Sequence, residues 1–163
     1  MANFSFDIVS EIDQQELNNA LDQTKKEIAN RYDFKGIDID IKLEDKNLIL
    51  QVPDEYKLNA LLEIIKSKMI RRGLSLKILG DQKQEKASGG SLRVTIKLVE
   101  GVDQEQAKKI NKLIRDFAPK IKTQIQGEAV RVVSNSKNEL QDIIQMLKTN
   151  ESINIPLQFT NYR

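Results

Sequence analysis

The chain has 163 residues, enough for one medium domain or two small ones, each with a modest core of its own. It contains no cysteine, histidine or tryptophan, which excludes zinc sites built on Cys or His, thiol nucleophiles, Ser-His relays and disulfides, and leaves carboxylate sites for Mg²⁺ open. The formal net charge of +2 is unevenly spread: residues 1–80 carry 12 Lys/Arg against 14 Asp/Glu, residues 81–163 carry 14 against 10.

Phe4, Phe6 and Ile8 alternate with Ser5 and Asp7, which predicts a half-buried strand. Ser10 to Asp13 reads as a helix start of capping-box type, and Leu17, Ala20, Leu21, Thr24 and Ile28 then line one helical face. Ile37, Ile39, Ile41 and Leu43, followed by Leu48, Leu50 and Val52, predict a hairpin with one polar face. Pro53 and Asp54 open a second helix bearing Leu58, Leu61, Leu62, Ile65 and Met69, which Gly73 stops. Leu74, Leu76 and Ile78 are expected to form the fourth strand. Residues 80–90 lack any large apolar side chain and read as a linker.

The second half repeats the order. Leu92, Val94, Ile96 and Leu98 predict a strand, and Asp103 with Gln106 caps a helix bearing Ala107, Ile110, Ile114 and Phe117 that Pro119 ends. Ile121, Thr123 and Ile125 pair with Val130 and Val132 across a turn at Gly127. Ser136 and Glu139 cap a last helix with Leu140, Ile143, Ile144 and Leu147, and residues 157–161 close as a strand. The fold class is therefore α+β: two tandem ferredoxin-like βαββαβ units, each a four-stranded antiparallel sheet with two helices on one face. RNA-binding domains of ribonucleoprotein type share this arrangement. The outward positions of the second sheet, Lys122, Gln124, Gln126 and Arg131 with Ser5, Asp7, Ala129 and Val133, lack the stacking aromatics of such domains. Nucleic-acid contact there would rest on phosphate attraction.

No basic segment followed by an apolar run begins the chain, and no run of about 18 apolar residues occurs, so a soluble cytoplasmic protein with no membrane association is expected. Two groups of residues are candidates for function. Arg31 and Lys35 flank Tyr32, Asp33 and Phe34, setting cations beside rings in a way suited to a phosphate and a stacked base. The alternative is that Tyr32 and Phe34 close the core at a helix end while the cations complement the helix dipole. Lys68, Arg71 and Arg72 precede Gly73, where the dipole also favours cations, and Arg93 joins this nucleotide-binding set if it lies close. The second group, Lys108, Lys109, Lys112, Arg115, Lys120, Lys122 and Arg131, makes a basic field for a polyanion. Its bland counterpart is a solvated, lysine-rich helix face. Asp38 and Asp40 are a candidate Mg²⁺ pair, explained equally by outward alternation on a strand. Ser88, Gly89 and Gly90 offer backbone N–H groups without the lysine and helix of a P-loop.

Six segments, SFDIVSEID (5–13), RYDFKG (31–36), KMIRRG (68–73), ASGG (87–90), KTQIQG (122–127) and PLQFTNYR (156–163), together resemble the bacterial YajQ family over essentially the whole chain. The resemblance implies two ferredoxin-like domains that exchange first strands, one of residues 10–99 and one of 1–9 with 100–163. It further implies nucleotide binding, in some members of cyclic di-GMP and in others of RNA or mononucleotides. The chain departs from the family pattern at Val133 to Ser136, where Thr-Gly-Lys-Lys is common, and at Glu100 to Val102, where Gln-Gly-Ile is usual; both changes make that edge less basic. The expected function is a regulatory protein binding GTP, ATP, cyclic di-GMP or RNA, with no cofactor and no catalytic activity. The alternatives are a protein-interaction adaptor using the open sheet faces and a Mg²⁺-dependent phosphate enzyme.

Overall fold

Strands form where every second side chain is apolar, and helices where apolar residues recur at three and four. In the computed structural model, which describes residues 3–163, these elements are β1 (Phe4–Val9), α1 (Gln14–Asn30), β2 (Asp40–Glu44), β3 (Asn47–Val52), α2 (Glu55–Arg71), β4 (Leu79–Lys86) and β5 (Leu92–Leu98). They continue with α3 (Gln104–Phe117), β6 (Lys122–Gln126), β7 (Ala129–Ser134), α4 (Lys137–Thr149) and β8 (Gln158–Thr160). Short 3₁₀ turns occupy Tyr32–Phe34, Leu76–Ile78 and Ser88–Gly90. The chain divides into two compact units, Ile12–Val99 and the N-terminal residues through Glu11 with Glu100–Arg163.

Each unit is a four-stranded antiparallel sheet, ordered β2-β3-β5-β4 in the first and β6-β7-β1-β8 in the second. The architecture is α+β and ferredoxin-like in both. In the Ile12–Val99 unit, Leu17, Ala20 and Leu21 of α1 and Leu58, Leu61, Ile65 and Met69 of α2 pack on Ile41, Leu48, Leu50, Val94 and Ile96. Each such leucine, isoleucine, valine or methionine, removed from water, contributes roughly 1.5–3 kcal/mol. In the other unit Phe6, Ile8, Val130 and Val132 of the sheet are buried with Ala107, Ile110 and Ile114 of α3 and Leu140, Ile143 and Leu147 of α4. In β1, β3, β5 and β7 the intervening side chains lie on the opposite, open face.

Helix entry follows the short-side-chain caps: Asp13, Asp54, Asp103 and Ser136 each accept a hydrogen bond from the backbone N–H three residues on. The first cap is therefore Asp13; Ser10 is buried at the end of the β1 connection, and its carbonyl accepts from Gly101 N–H at 2.6 Å.

The expected fourth strand and linker are both corrected. After α2, Gly73 takes φ 77° and Leu74 N–H turns back to Met69 O at 2.9 Å, so residues 76–78 form a 3₁₀ turn in which Ile78 alone is fully buried. The strand is β4, lying in the stretch read as a linker, and it pairs along β5 from Leu79↔Leu98 to Lys86↔Leu92. Residues 81–86 are all exposed, because β4 is an edge strand, and so carry no apolar signal. Its register shifts between Leu79 and Gln82, and a Cβ at the intervening Gly80 would lie 2.7 Å from Val99 Cγ2 and 2.8 Å from Lys97 O. Ser88, Gly89 and Gly90 are the hairpin turn joining β4 to β5, closed by Ala87 N–H to Ser91 O at 2.7 Å.

Candidate functional site

The distinctive Arg31–Gly36 sequence becomes a corner where α1 ends and the chain turns toward β2. Arg31 is extended and its guanidinium donates to both carboxylate oxygens of Asp33, at 2.9 and 2.7 Å, and to Glu27 at 3.2 Å. Arg31 in turn holds the Asp33 carboxyl below its ordinary range. Phe34 is buried, with the Arg31 guanidinium 5.4 Å and the Lys57 ammonium 5.0 Å from its ring centre. Lys57, at the start of α2, also donates to the Asp33 carbonyl. Phe34 thus anchors the corner, almost wholly removed from solvent. The rings turned outward are Tyr32, 90% exposed, and Tyr56, 80% exposed, the latter 5.8 Å from Lys57 Nζ.

Two cavities flank residues 36–39 as they leave this corner. The larger, about 800 Å³, is lined by residues 36–40 with Gln51, Pro53, Asp54, Lys57, Ser88 and Ser91. The smaller, about 390 Å³, lies against α1, where Lys25 and Lys35 meet Ile28, Phe34 and Ile39. Arg93 reaches the larger cavity's surroundings through the sheet: Asp40 pairs with Gln51, Gln51 with Arg93, and Arg93 with Glu85, all on the open face. Exposed rings, lysines and amide and carboxylate groups within one corner suit a planar, polar, anionic ligand.

The remaining members of the first set lie elsewhere. Lys68, Arg71 and Arg72 end α2, about 16 Å along the helix from Lys57. Lys68 bonds Glu27 at 2.9 Å and Arg72 approaches Glu16 at 3.8 Å, while Arg71 is exposed with no acidic partner among the described residues. The Lys68 hydrogen bond, seconded by Arg31, holds the Glu27 carboxyl below its usual range. Of the first set, Phe34 and Lys35 line the smaller cavity, Arg93 lies opposite Gln51 of the larger one, and Arg31 and Lys68 meet at the shared Glu27 carboxylate, whereas Arg71 and Arg72 do not join them.

The polyanion set is divided between two faces. Lys108, Lys112 and Arg115 form an exposed stripe on α3, without acidic partners among the described residues, and Lys120 follows in the turn after α3. Lys109 is half-buried and donates to the Ser152 carbonyl. Lys122 and Arg131 lie on the open sheet face, where Lys122↔Val133 and Gln124↔Arg131 are opposite one another. Arg131 is held by Asp7, Nε to Oδ1 at 2.9 Å, and Asn161 Nδ2 adds a bond to the same carboxylate at 2.9 Å. These contacts, Arg131 foremost, hold the Asp7 carboxyl below its ordinary range.

Among the described residues no three His, Cys, Asp or Glu side chains come together as a metal centre would require. Asp38 and Asp40 both line the larger cavity, and Asp40 lies 3.5 Å from Lys42. Ser91 donates its hydroxyl to the Ser88 carbonyl at 3.2 Å and so has no base to activate it. Tyr56, Lys57 and Gln51 escape a reading of the sequence, because each looks like an ordinary exposed residue of its own element. The one available signal was Tyr56 itself, an aromatic residue in the first turn of a helix on the side away from its apolar stripe.

Two ferredoxin-like units, one with a polar cavity beside the corner of residues 31–36, define a tandem-domain α+β protein. The family model described as "Nucleotide-binding protein YajQ-like" matches residues 4–163, and the chain belongs to that family. Similar curated relatives, each called a nucleotide-binding protein, include one from Prochlorococcus marinus at 49% identity over 99% of this chain and 98% of the relative. Another, from Chloroherpeton thalassium, is 46% identical over 99% of both chains, and one from Streptomyces coelicolor is 44% identical over the full length of both. No helix among the described residues is long and apolar enough to cross a membrane.

Proposed function

We propose that the protein binds a nucleotide at the corner of residues 31–40 and performs no chemistry on it. The observation that carries this reading is the cavity of about 800 Å³ lined by residues 36–40, Gln51, Lys57, Ser88 and Ser91; Tyr32 and Tyr56, neighbours in sequence of Asp33 and Lys57, are exposed. In this arrangement Lys57, Lys35 and Arg93 attract the phosphates, the tyrosine rings offer a stacking face, and Asp38, Asp40 and Gln51 hydrogen-bond ribose hydroxyls or base edges. The relatives' shared name supports the ligand class. Arg31, with Lys68 on the same Glu27 carboxylate, and Phe34 then serve as the frame of the site, and Arg71 and Arg72 lie outside it.

The finer reading is a cytoplasmic regulatory protein whose ligand is GTP, ATP or cyclic di-GMP. RNA is a second reading, favoured by the unpaired Lys108, Lys112 and Arg115 stripe, and it rests on phosphate attraction alone. Calorimetry with GTP, ATP, cyclic di-GMP and a short structured RNA, each at two salt concentrations, tests both. One small nucleotide is expected to bind saturably with weak salt dependence, and Arg93→Ala, at an exposed position, to weaken it about five- to tenfold. Unchanged affinity in Arg93→Ala and Lys35→Ala, or no binding of any small nucleotide, overturns the proposed site.

A further inference from the structure

The unit containing β1 carries a pocket of its own at the edge of its sheet. About 380 Å³ in volume, it is lined by the rings of Phe4 and Tyr162, by Leu140, by Lys137 and Gln141 of α4, and by Ser5 and Arg163. Tyr162 is 59% exposed, an uncommon position for a tyrosine held as firmly as this one. The next residue, Arg163, exchanges two backbone hydrogen bonds with Ser5, at 3.1 and 3.0 Å. The preceding residue, Asn161, takes φ 56° and bonds Asp7 at 2.9 Å. The Tyr162 ring itself rests 6.2 Å from that of Phe6. A ring fixed on its inner side and open on its outer side loses little freedom when a second ring stacks on it.

The cation of the pocket is equally telling. Lys137 is exposed, its ammonium lies 5.0 Å from the centre of the Phe4 ring, and it has no carboxylate partner among the described residues. It is also the first residue of α4, the end at which the helix dipole disfavours a positive charge. Dipole complementation therefore does not explain it, as it explains lysines in a last helical turn.

We infer that this pocket is a second ligand site, taking a planar aromatic group that carries an anion, with nucleoside monophosphates as its natural chemical class. The ring stacks between Phe4 and Tyr162 against Leu140, and the phosphate meets Lys137. Choosing a nucleotide as ligand rests on the reading given above for the first site; the pocket itself lies wholly within the other unit.

The test is a titration of the full-length protein with GMP and, separately, inorganic phosphate, followed by amide chemical shifts. Saturable shifts of residues 4–5, 137–141 and 162–163 with GMP, weakened at least fivefold in Lys137→Gln and in Tyr162→Ala, are expected. The exposed position of Lys137 keeps that variant folded, which its dispersed spectrum verifies. Shifts absent from these residues, or equal in the wild type and Lys137→Gln, overturn the second site, as do shifts produced equally by phosphate alone. Because shifts are read residue by residue, failure here leaves the signals of residues 31–40 and 57 to report on the first site independently.

Discussion

The two units share one architecture but tie down different cations on it. In the Ile12–Val99 unit three helix-side cations are engaged, Arg31 and Lys68 by Glu27 and Arg72 by Glu16, while Arg71 at the end of α2 and Arg93 on the open sheet face have no acidic partner among the described residues. In the other unit Arg131 on the sheet face is tied to Asp7, while Lys122 beside it and the helix-side stripe of Lys108, Lys112 and Arg115 are unpaired among the described residues. The backbone plan thus leaves the electrostatics free. A carboxylate one turn away, or across one strand pair, decides which cations of the same fold are available to an anion.

The largest way to break this comparison is through the cores rather than the charges. Leu50→Ala, at a wholly buried position of β3, is expected to cost about 2–5 kcal/mol in urea unfolding and to abolish binding at residues 31–40 with it. Gly80→Ala is next. Its Cβ meets Val99 and the Lys97 carbonyl at under 3 Å, so β4 must shift, and a loss of roughly 1–3 kcal/mol is expected from the same measurement.

The ion pairs differ in burial and should differ in worth. Asp7→Ala strips the half-buried Arg131 of its partner and is expected to cost about 1 kcal/mol, whereas Glu16→Ala, facing Arg72 at 3.8 Å, should cost at most a few tenths. Equal losses in thermal unfolding would erase the asymmetry between the units. The same pairs set the acid limb. Asp7, Asp33 and Glu27 all have folded-state pKa values below their ordinary 3.8, 3.8 and 4.5, so their stabilisation is complete above those values and disappears as pH falls through the lower folded ones. Asp7→Asn should flatten the decline in urea midpoint below about pH 4, and an unaltered decline would remove Asp7 from the account. The smallest effect on stability, within about 0.5 kcal/mol, belongs to the triple change of Lys108, Lys112 and Arg115 to Ala. Its readout is instead the salt dependence of RNA binding, expected to shallow by about 2 in slope if three phosphate contacts are lost.

Where apolar alternation reaches the core, the fold was legible residue by residue: Ile41, Leu48 and Leu50, or Val130 and Val132, are buried as their spacing requires. It failed at β4, which is held by backbone pairing to β5 and places nothing apolar inward after Leu79. The site was half legible for a related reason. The RYDFKG segment forms the corner next to the cavity, but which ring faces water depends on tertiary packing: Phe34 is buried and Tyr32 exposed. Lys57 lies more than twenty positions away and joins the corner only because α2 starts where α1 ends.

The polar make-up of β4 bears on how the protein behaves at high concentration. Its outer edge is a free row of backbone donors and acceptors, the kind of surface on which a second chain can add a strand and seed aggregation. Lys83, Glu85 and Lys86, with glutamines between them and no apolar residue after Leu79, leave an incoming strand nothing dry to bury. The residues that hid the strand from a hydrophobic reading are those that keep it from becoming a template for fibres.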